Sequence, residues 1–460
     1  MRRVMPLVAL ALAGCMSMEP HYIQPDPAIP ASWPAGDAYL RQSEAALPAV
    51  TYRDIFRDPR LQSLIERALV NNRDLMIAAA NISAARSQYR IQRAGRFPEI
   101  DANAGATATR ATSAGASGAD TSATAGVGVP SFELDLFGRV ASLTHAQLNR
   151  YLATEAGARA TRLTLIADIA DAWLLHAADA SLLQIAEDTA VSAERSVRLT
   201  SARLKGGIAP RTDLRQAQQV LETARGDLAD QRTALAQDVN LLQLLVGAPI
   251  DERLLSQSVD EAAATVAELP AGLDSYVLLR RPDVVQAEYQ LRAANAEIGA
   301  ARAALFPRIS LTGLLGFASN ALAGLFSGGA FTWSASADAS YPIFSGGAGR
   351  ANVQLTEAQR DAAVATYQQA IQRAFREVSD ALARRGTMGD QLHAREANMA
   401  AAGDTYRLSE ARYREGIDSF LSSLDAQRSY YAAQRSLVLS RLEAASNLVG
   451  LYQTLGGDSL

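Results

Sequence analysis

Residues 331–343 read FTWSASADASYPI, a stretch in which apolar and polar side chains alternate. One face carries Phe331, Trp333, Ala335, Ala337, Ala339, Tyr341 and Ile343, and the other carries Thr332, Ser334, Ser336, Asp338 and Ser340. This period of two predicts a β-strand, and a barrel strand between lipid and a wet lumen requires such a pattern. Trp333 and Tyr341 are about 26 Å apart along a strand, which matches two aromatic girdles around the hydrocarbon layer.

Three further strands are predicted with weaker patterns. The apolar positions of the nearest one are Ile309, Leu311, Gly313, Leu315 and Phe317, although Leu314 interrupts its polar face. An earlier hairpin has Ile100, Ala102, Ala104, Ala106 and Ala108, and returns through Ala123, Ala125, Val127 and Val129. On the strands alone, a half-buried sheet in a soluble protein is the alternative.

The chain contains an internal duplication with an offset of 209 residues. The matched positions are Asp74 and Asp283, Phe97-Pro98 and Phe306-Pro307, Asp171 and Asp380, Gly207 and Gly416, and Ala217 and Ala426. Such self-similarity predicts two copies of one structural unit. We assign residues 61–250 to the first repeat, with a β-hairpin at about 98–133. Residues 251–275 form a connector, residues 276–457 the second repeat with a hairpin at about 306–343, and residues 458–460 a tail.

Each repeat is expected to contain a helix, the hairpin, a very long helix, a tight turn and a closing helix. No proline lies between Pro130 and Pro210, and a helix over 139–203 would be about 95 Å long. The helices near 61–97 and 210–246 are predicted to be about half that length. Leucines recur every seven residues at Leu214, Leu221, Leu228, Leu235 and Leu242. Such heptads indicate a coiled coil. The helix pattern alone would favour a cytosolic coiled-coil protein, which is the alternative at this point.

The amino terminus predicts export and lipidation. Arg2 and Arg3 precede a short apolar stretch that ends in Leu12-Ala13-Gly14-Cys15. Residues 1–14 are therefore interpreted as a secretory signal, and the resemblance to the bacterial lipobox implies that Cys15 receives diacylglycerol and an N-acyl lipid such as palmitate. The alternative is an ordinary signal peptide with a chance cysteine. Met16, in place of an aspartate, points to the outer membrane, and the proline-rich residues 15–60 predict an extended lipidated segment.

Composition argues against several other classes of protein. The net charge of −4 gives no reason to expect a nucleic-acid partner. No catalytic constellation is recognisable, and no metal site or other cofactor is expected. The histidines are scattered, at His21, His145, His176 and His393. The sequence predicts a protein that is not an enzyme.

The number of strands predicts oligomerisation. Two hairpins supply four strands, which cannot close a barrel, and an open sheet edge is not tolerated in lipid. No run of apolar residues is long enough for a transmembrane helix, so a crossing would need a closed barrel. Three chains would give twelve strands, whereas two would give eight, a number whose interior is filled by side chains.

Several motifs together resemble the outer-membrane factor family (TolC/OprM type), in its lipoprotein or NodT-type branch. They are Tyr22…Pro25…Pro27…Pro30…Trp33, Tyr52-Arg-Asp-Ile-Phe-Arg-Asp-Pro-Arg-Leu61, Leu64-Ile-Glu-Arg-Ala-Leu-Val-Asn-Asn-Arg-Asp-Leu75, Leu245-Val-Gly-Ala-Pro249, Arg280-Arg-Pro-Asp283, Leu305-Phe-Pro-Arg-Ile309, and Tyr413-Arg-Glu-Gly416 before Leu424-Asp-Ala-Gln-Arg428. The match covers nearly the whole chain. Tyr52 stands where that branch often has tryptophan.

The resemblance implies a mainly α fold with a small β part and a homotrimeric assembly in the outer-membrane lipid. Four strands per chain would form a twelve-stranded transmembrane β-barrel, and long antiparallel helical hairpins an α-barrel in the periplasm. It also implies a passive efflux duct that exports drugs or other small molecules. Its partners would be a periplasmic membrane-fusion adaptor and an inner-membrane pump of the RND type.

The resemblance also assigns roles to residues at the two turns between helices. Leu421 and Asp425 would line a periplasmic gate, which Arg428 and Tyr413 would help to latch. Three copies of Asp425 near one axis would repel each other and attract cations, while three copies of Leu421 would form a dry constriction. The turn residues expected to contact the adaptor are Gly207, Gly416, Arg203 and Arg412. The alternative is that these turns are simply loops between two helices. In that case only their glycines matter, as the C-caps of the preceding helices.

Other functions stay open at the level of sequence. A trimeric coiled-coil surface or adhesive lipoprotein is the alternative from another class, although it would not need a duplicated hairpin with girdled strands. Within transport, the same duct could serve metal-ion efflux or type I protein secretion. A methionine-rich sequence would favour copper or silver, but only seven methionines occur, three of them at positions 1, 5 and 16. Efflux of small organic molecules is therefore preferred.

Overall fold

The fold is described from a computed structural model of the 460-residue chain. It describes residues 17–27, 29–30, 32–34, 51–113, 116–268 and 275–457. The predicted signal peptide, the predicted lipidation site Cys15 and the tail at 458–460 lie outside these residues.

A helix, two strands, a long helix and a closing helix follow one another twice, and the first series begins with two more helices. The first series consists of α1 (Tyr52–Ile55), α2 (Pro59–Asn71), α3 (Arg73–Ala94), β1 (Asp101–Ser113), β2 (Ala116–Leu134), α4 (Arg139–Lys205) and α5 (Arg211–Val246). A connector with α6 (Val259–Ala263) and two 3-10 turns follows (Glu252–Leu254 and Ser275–Arg280). The second series consists of α7 (Pro282–Ala303), β3 (Arg308–Ser319), β4 (Phe331–Ser340), α8 (Ala348–Arg414) and α9 (Phe420–Thr454).

The two long helices confirm the duplication at the level of structure. Helices α4 and α8 each contain 67 residues, and α8 begins and ends 209 residues after α4 (348 − 139 and 414 − 205). Helices α3 and α7 both contain 22 residues. The fold is thus mainly helical with a small β part, as the sequence predicts.

One predicted helix is broken in two. The sequence predicts a single helix near 61–97, but Asn72 has an extended backbone (φ −63°, ψ 133°) between α2 and α3. Its Oδ1 accepts hydrogen bonds from the amides of Asp74 and Leu75, so Asn72 caps α3. Its Nδ2 donates to the Leu245 carbonyl at 2.8 Å. These bonds stabilise the break without proline or glycine.

The four strands form one antiparallel sheet in the order β1-β2-β3-β4. The hairpins of the two repeats join where β2 pairs with β3, for example at Val127 and Leu315. Within the described residues, β1 and β4 each pair with a strand on one side only. A single chain therefore presents two open sheet edges.

The register places the apolar positions of all four strands on one face. Ala102 pairs with Val127, Val127 with Leu315, and Leu315 with Trp333. The neighbouring row, on the other face, is Asn103, Gly126, Gly316 and Thr332. A Cβ added at Gly316 would lie 2.4 Å from the Ala125 carbonyl oxygen. The backbones of β2 and β3 therefore approach so closely at this position that only glycine fits.

Strand β4 is shorter than the sequence predicts. The alternating pattern extends to Ile343, but the strand ends at Ser340. Pro342 has no N–H to donate to a neighbouring strand, which explains why pairing stops there. Tyr341, predicted as a girdle residue, is exposed just beyond the strand, whereas Trp333 is exposed within it.

The chain divides into two compact units. The first contains the sheet, residues 81–155 and 286–369, and the amino-terminal segment to residue 26. The described part of that segment, 17–26, has no helix or strand, which agrees with the extended prediction. It is held by side chains: Tyr22 donates to Glu288 at 3.2 Å, and Asn295 donates to the Pro20 carbonyl at 2.8 Å.

The second unit contains residues 27–80, 156–285 and 370–460. Helix α2 buries Leu61, Leu64, Ile65 and Ala68, which recur at helical spacing on one face. Trp173 of α4 is fully buried, and its indole N–H donates to the Leu254 carbonyl of the connector at 2.9 Å. The prediction of an extended segment over 15–60 is wrong at its end, because α1 and the start of α2 lie there.

None of the described helices combines the length and the apolar character needed to cross a membrane.

Candidate functional site

The two helix-to-helix turns have the same backbone geometry. Gly207 and Gly416 have φ values of 74° and 78°, in the left-handed region that glycine tolerates best. In the first turn the Ile208 amide donates to the Arg203 carbonyl, and in the second the Ile417 amide donates to the Arg412 carbonyl. These bonds form the Schellman closure that ends a helix and reverses the chain. The predicted C-cap geometry of both glycines is therefore present.

A shared hydrophobic cluster packs the two turns together. It consists of Ala217, Tyr413, Phe420 and Leu424, with Val197, Leu199 and Val220 against them. The rings of Tyr413 and Phe420 lie 5.3 Å apart between centroids. Tyr413 is thus part of the packing between the hairpins within one chain. Burial raises the pKa of Tyr413 in spite of the nearby positive charge of Arg203.

Arg203 links the first turn to the second. Its Nη1 donates to the Tyr413 carbonyl at 2.6 Å, and its guanidinium carbon lies 4.7 Å from the centroid of the Tyr413 ring. The side chain combines a hydrogen bond with a cation–π contact. An adaptor contact at Arg203 stays a prediction, and part of its guanidinium already has a partner in the same chain.

Arg412, the duplicate of Arg203, has a different partner. It donates to both oxygens of Asp418, at 2.6 and 3.0 Å, within its own turn. This bidentate pair lowers the pKa of Asp418. The residue 209 positions before Asp418 is Ala209, so Arg203 has no acid at the equivalent position of its own turn. The difference at one position explains why only Arg203 reaches the other turn.

The three other predicted gate residues lie on one exposed stripe of α9. Leu421, Asp425 and Arg428 follow each other at helical spacing, and all three are exposed, Leu421 by 59%. Within the described residues, no ion pair joins Asp425 to a basic side chain. Arg428 borders a small groove beside Asp227 and Tyr431. In a single chain this stripe is open to solvent.

The duplication shows that this stripe belongs to the second repeat alone. The positions 209 residues before Leu421, Asp425 and Arg428 are Thr212, Gln216 and Gln219. The first repeat therefore has neither the apolar group nor the two charges. If the stripe closes a passage, only one of the two turns in each chain supplies the closing side chains.

A buried carboxyl pair, which the sequence analysis missed, lies between α4 and α5. Asp238 of α5 is only 6% exposed, and its Oδ2 has no hydrogen-bond partner among the described residues. Burial and the adjacent Asp179 of α4 raise the pKa of Asp238 to about 7. Burial also raises the pKa of Asp179, and His176 lies one turn away, with its pKa lowered by burial. The raised pKa of Asp238 favours the protonated form of its carboxyl at mildly acid pH.

This pair predicts that stability falls as the pH rises. An unfolded aspartate loses its proton near pH 4, whereas Asp238 keeps its proton to about pH 7. The unfolded state therefore binds fewer protons between these values, and the free energy of unfolding decreases across pH 4–7. Asp238→Asn, which keeps a neutral side chain, should flatten this part of the profile.

The measurement is the thermal unfolding midpoint of the detergent-solubilised protein between pH 4.5 and 8. Asp230→Asn, an exposed position on the same helix, is the matched control and should keep the parental slope. Equal slopes in Asp238→Asn and in the parent protein would refute the raised pKa of Asp238.

The chain matches the family model described as outer membrane efflux protein, over residues 64–248 and again over 274–457. The two matched segments start 210 residues apart (274 − 64) and together span most of the chain.

Relatives and solved structures agree with this match. The chain is 43% identical to the antibiotic efflux pump outer membrane protein ArpC of Pseudomonas putida, and likewise 43% identical to the toluene efflux pump outer membrane protein TtgC of the same species. Each alignment covers 98% of this chain and 94% of the relative. The structure is similar to the open state of the Neisseria gonorrhoeae MtrE outer membrane channel, with a TM-score of 0.85 and 34% identity over 96% of this chain and 98% of that one.

Proposed function

The chain belongs to the outer membrane efflux protein family, and we propose that three copies of it form a passive duct through which small organic molecules leave the cell. As a member of this family, the protein is the outer-membrane channel component of an efflux system. The proposal adds the threefold assembly, the gate, the lipid anchor, the partners and the cargo.

The four-stranded sheet is the observation that carries the proposal. It has one apolar and one polar face, and its two outer strands each lack a neighbour within the described chain. In lipid, such edges must be paired, and pairing β1 of one chain with β4 of the next removes them. Three chains give twelve strands, which is enough to surround a water-filled lumen, whereas eight are filled by side chains.

The stripe of Leu421, Asp425 and Arg428 is the proposed periplasmic gate. Its exposure in the single chain and its absence from the first repeat support this role. Three leucines near the axis form a dry constriction, and three carboxylates impose a cation preference. Arg428 of one chain then pairs with a carboxylate of its neighbour and holds the closed state.

The turns are the proposed contact surface for a periplasmic adaptor, which connects the duct to an inner-membrane pump of the RND type. Ile208 and Ile417 support this, because both are largely exposed at the tips of turns whose backbone is fixed by hydrogen bonds. Arg412 lies beside them, although it is already paired with Asp418.

The proposed cargo is a drug or another small organic molecule, which the names of the toluene and antibiotic efflux relatives favour. The test is to delete the gene, measure accumulation of a fluorescent hydrophobic dye and of toluene, and then restore the chain. We expect accumulation to rise on deletion and to return to the original level on restoration. Unchanged accumulation of every organic probe would contradict this cargo. A defect in copper tolerance would then indicate a metal ion as the cargo, and a defect in protein secretion would indicate a polypeptide.

A lipid anchor at Cys15 is part of the proposal. The Leu12-Ala13-Gly14-Cys15 sequence supports it. Cys15→Ser should abolish the incorporation of labelled palmitate, because serine has no thiol to carry the diacylglycerol. Cleavage of the signal should also fail or move, since the cysteine is part of the recognised sequence.

The measurement is metabolic labelling combined with the intact mass of the purified protein. The parent protein should carry label at its first residue, Cys15. An unlabelled parent, or a mature chain that begins elsewhere, would contradict the anchor but leave the duct untouched.

A further inference from the structure

The loop between β3 and β4 is compact and tied to the sheet. Asn320 accepts a hydrogen bond through its carbonyl from the Thr121 hydroxyl at 2.6 Å. Within the loop, the Ser327 hydroxyl donates to the Gly324 carbonyl at 2.7 Å. At its base, the Ala318 amide of β3 donates to the Ala330 carbonyl at 2.8 Å. These bonds fix the path of the backbone, so the directions of its side chains are set by the fold.

Two large apolar side chains of this loop are nevertheless exposed. Phe326 is 77% exposed and Leu322 is 72% exposed, while Leu325 between them is only 5% exposed. Single exposed apolar residues are ordinary, but two large ones on one ordered loop form an apolar patch, and such patches mark contacts with a membrane or a partner.

The aromatic contacts show on which side of the sheet Phe326 lies. Its ring packs on Phe317 at 5.6 Å between centroids, and Phe317 packs on Phe331 at 6.0 Å. Phe317 and Phe331 are register partners, and both belong to the apolar face that contains Leu315 and Trp333. Phe326 therefore lies against the apolar face and not against the serine and threonine face.

The charge pattern separates this loop from its duplicate. No Asp, Glu, Lys, Arg or His occurs from Ile309 to Ala337, a stretch that contains the whole loop. The first hairpin, by contrast, has Arg110 and Asp120 close to its tip. A loop that closes a polar pore or meets water has no need to exclude charge over such a length, whereas a segment in contact with acyl chains must exclude it.

We propose that the β3–β4 loop, residues 320–330, is a membrane-inserted element whose Phe326 and Leu322 contact lipid acyl chains at the outer rim of the membrane. The helices join the opposite ends of the strands, so both hairpin tips lie at the sheet end away from the helices. The loop extends the apolar face of the sheet and does not plug the lumen. This inference rests on the proposed function, because it assumes that this face meets lipid.

The test uses a fluorescent NBD probe on an introduced cysteine, with quenching from the lipid and from the water. The only native cysteine is Cys15, which the lipid anchor occupies. Phe326→Cys carries the probe, and Leu322→Cys is a second site that leaves the aromatic cluster intact. Ala335→Cys reports on the apolar face of β4, and Ser334→Cys on its polar face. The full chain is placed in phosphatidylcholine and phosphatidylglycerol vesicles that contain nitroxide-labelled acyl chains, and iodide is added to the water.

Probes at 326 and 322 should resemble the probe at 335. We expect nitroxide lipid to quench all three several-fold more strongly than the probe at 334, and iodide to quench them weakly. Strong iodide quenching at both 326 and 322, with lipid quenching retained at 335, would overturn the inference and leave the duct intact. Loss of lipid quenching at 335 as well would overturn both, because the sheet would then not face lipid.

Discussion

Replacing Asp425 and Arg428 together by alanine is expected to raise the ion conductance of the purified protein in planar bilayers several-fold. Both side chains lie on the exposed stripe of α9, and among the described residues neither forms an ion pair within its own chain. In a threefold assembly their charges would meet at the axis and couple neighbouring chains. Removal of both charges would abolish the ion pairs between chains and the charge barrier at the axis. The closed state would then no longer be more stable than the open state.

The duplication provides a matched control for this experiment. Gln216 and Gln219 occupy the equivalent positions of the first repeat. The double variant Gln216→Ala with Gln219→Ala has the same helix spacing and removes no charge, so its conductance should stay at the parental level. If both double variants and the parent conduct equally, Asp425 and Arg428 do not form the gate.

Introducing arginine on the apolar face of β4 should prevent stable insertion of the protein. Ala337 pairs with Leu311 on this face, near the midpoint between Trp333 and Tyr341. An arginine that faces lipid near the bilayer midplane costs roughly 2–4 kcal/mol, and a trimer would carry three of them. Ala337→Arg is therefore expected to remove most of the protein from the urea-washed outer-membrane fraction.

Ser336→Arg tests the same substitution one residue away. Ser336 pairs with Thr312 on the polar face, where an arginine would point into water. This variant should insert at nearly the parental level and change ion selectivity. Equal loss, or equal tolerance, of the two variants would contradict the assignment of one face to lipid and the other to the lumen.

The long helices and the strands could be predicted because their signals are periodic. The alternation over 331–343 predicts β4 almost to its end, and only the last residues differ, because Pro342 ends the strand pairing. The break at Asn72 was missed because an asparagine that caps a helix looks like any other polar residue in a helical pattern. Its reason is a bond to the Leu245 carbonyl, which lies 173 residues away.

The candidate site was predictable only in part. The glycines of the two turns are visible in the sequence, since a tight reversal after a helix needs a left-handed residue. The partner of Arg203 is not, because it depends on the absence of an acid at Ala209 and on a carbonyl in the other repeat. Asp238 did leave a signal: it lies three residues after Leu235 and four before Leu242, at a core position of the heptad pattern. A polar residue there indicated a buried group.

The assembly itself can be measured by native mass spectrometry of the full-length protein, extracted from the outer membrane and released from detergent in the gas phase. The threefold duct predicts a dominant species with the mass of three mature chains, together with bound lipid, and no stable single chain. A dominant single chain with an intact sheet would leave β1 and β4 unpaired in lipid. A dominant dimer would close a barrel of only eight strands, which is too small for a passage. Either result would contradict a passage enclosed by three chains.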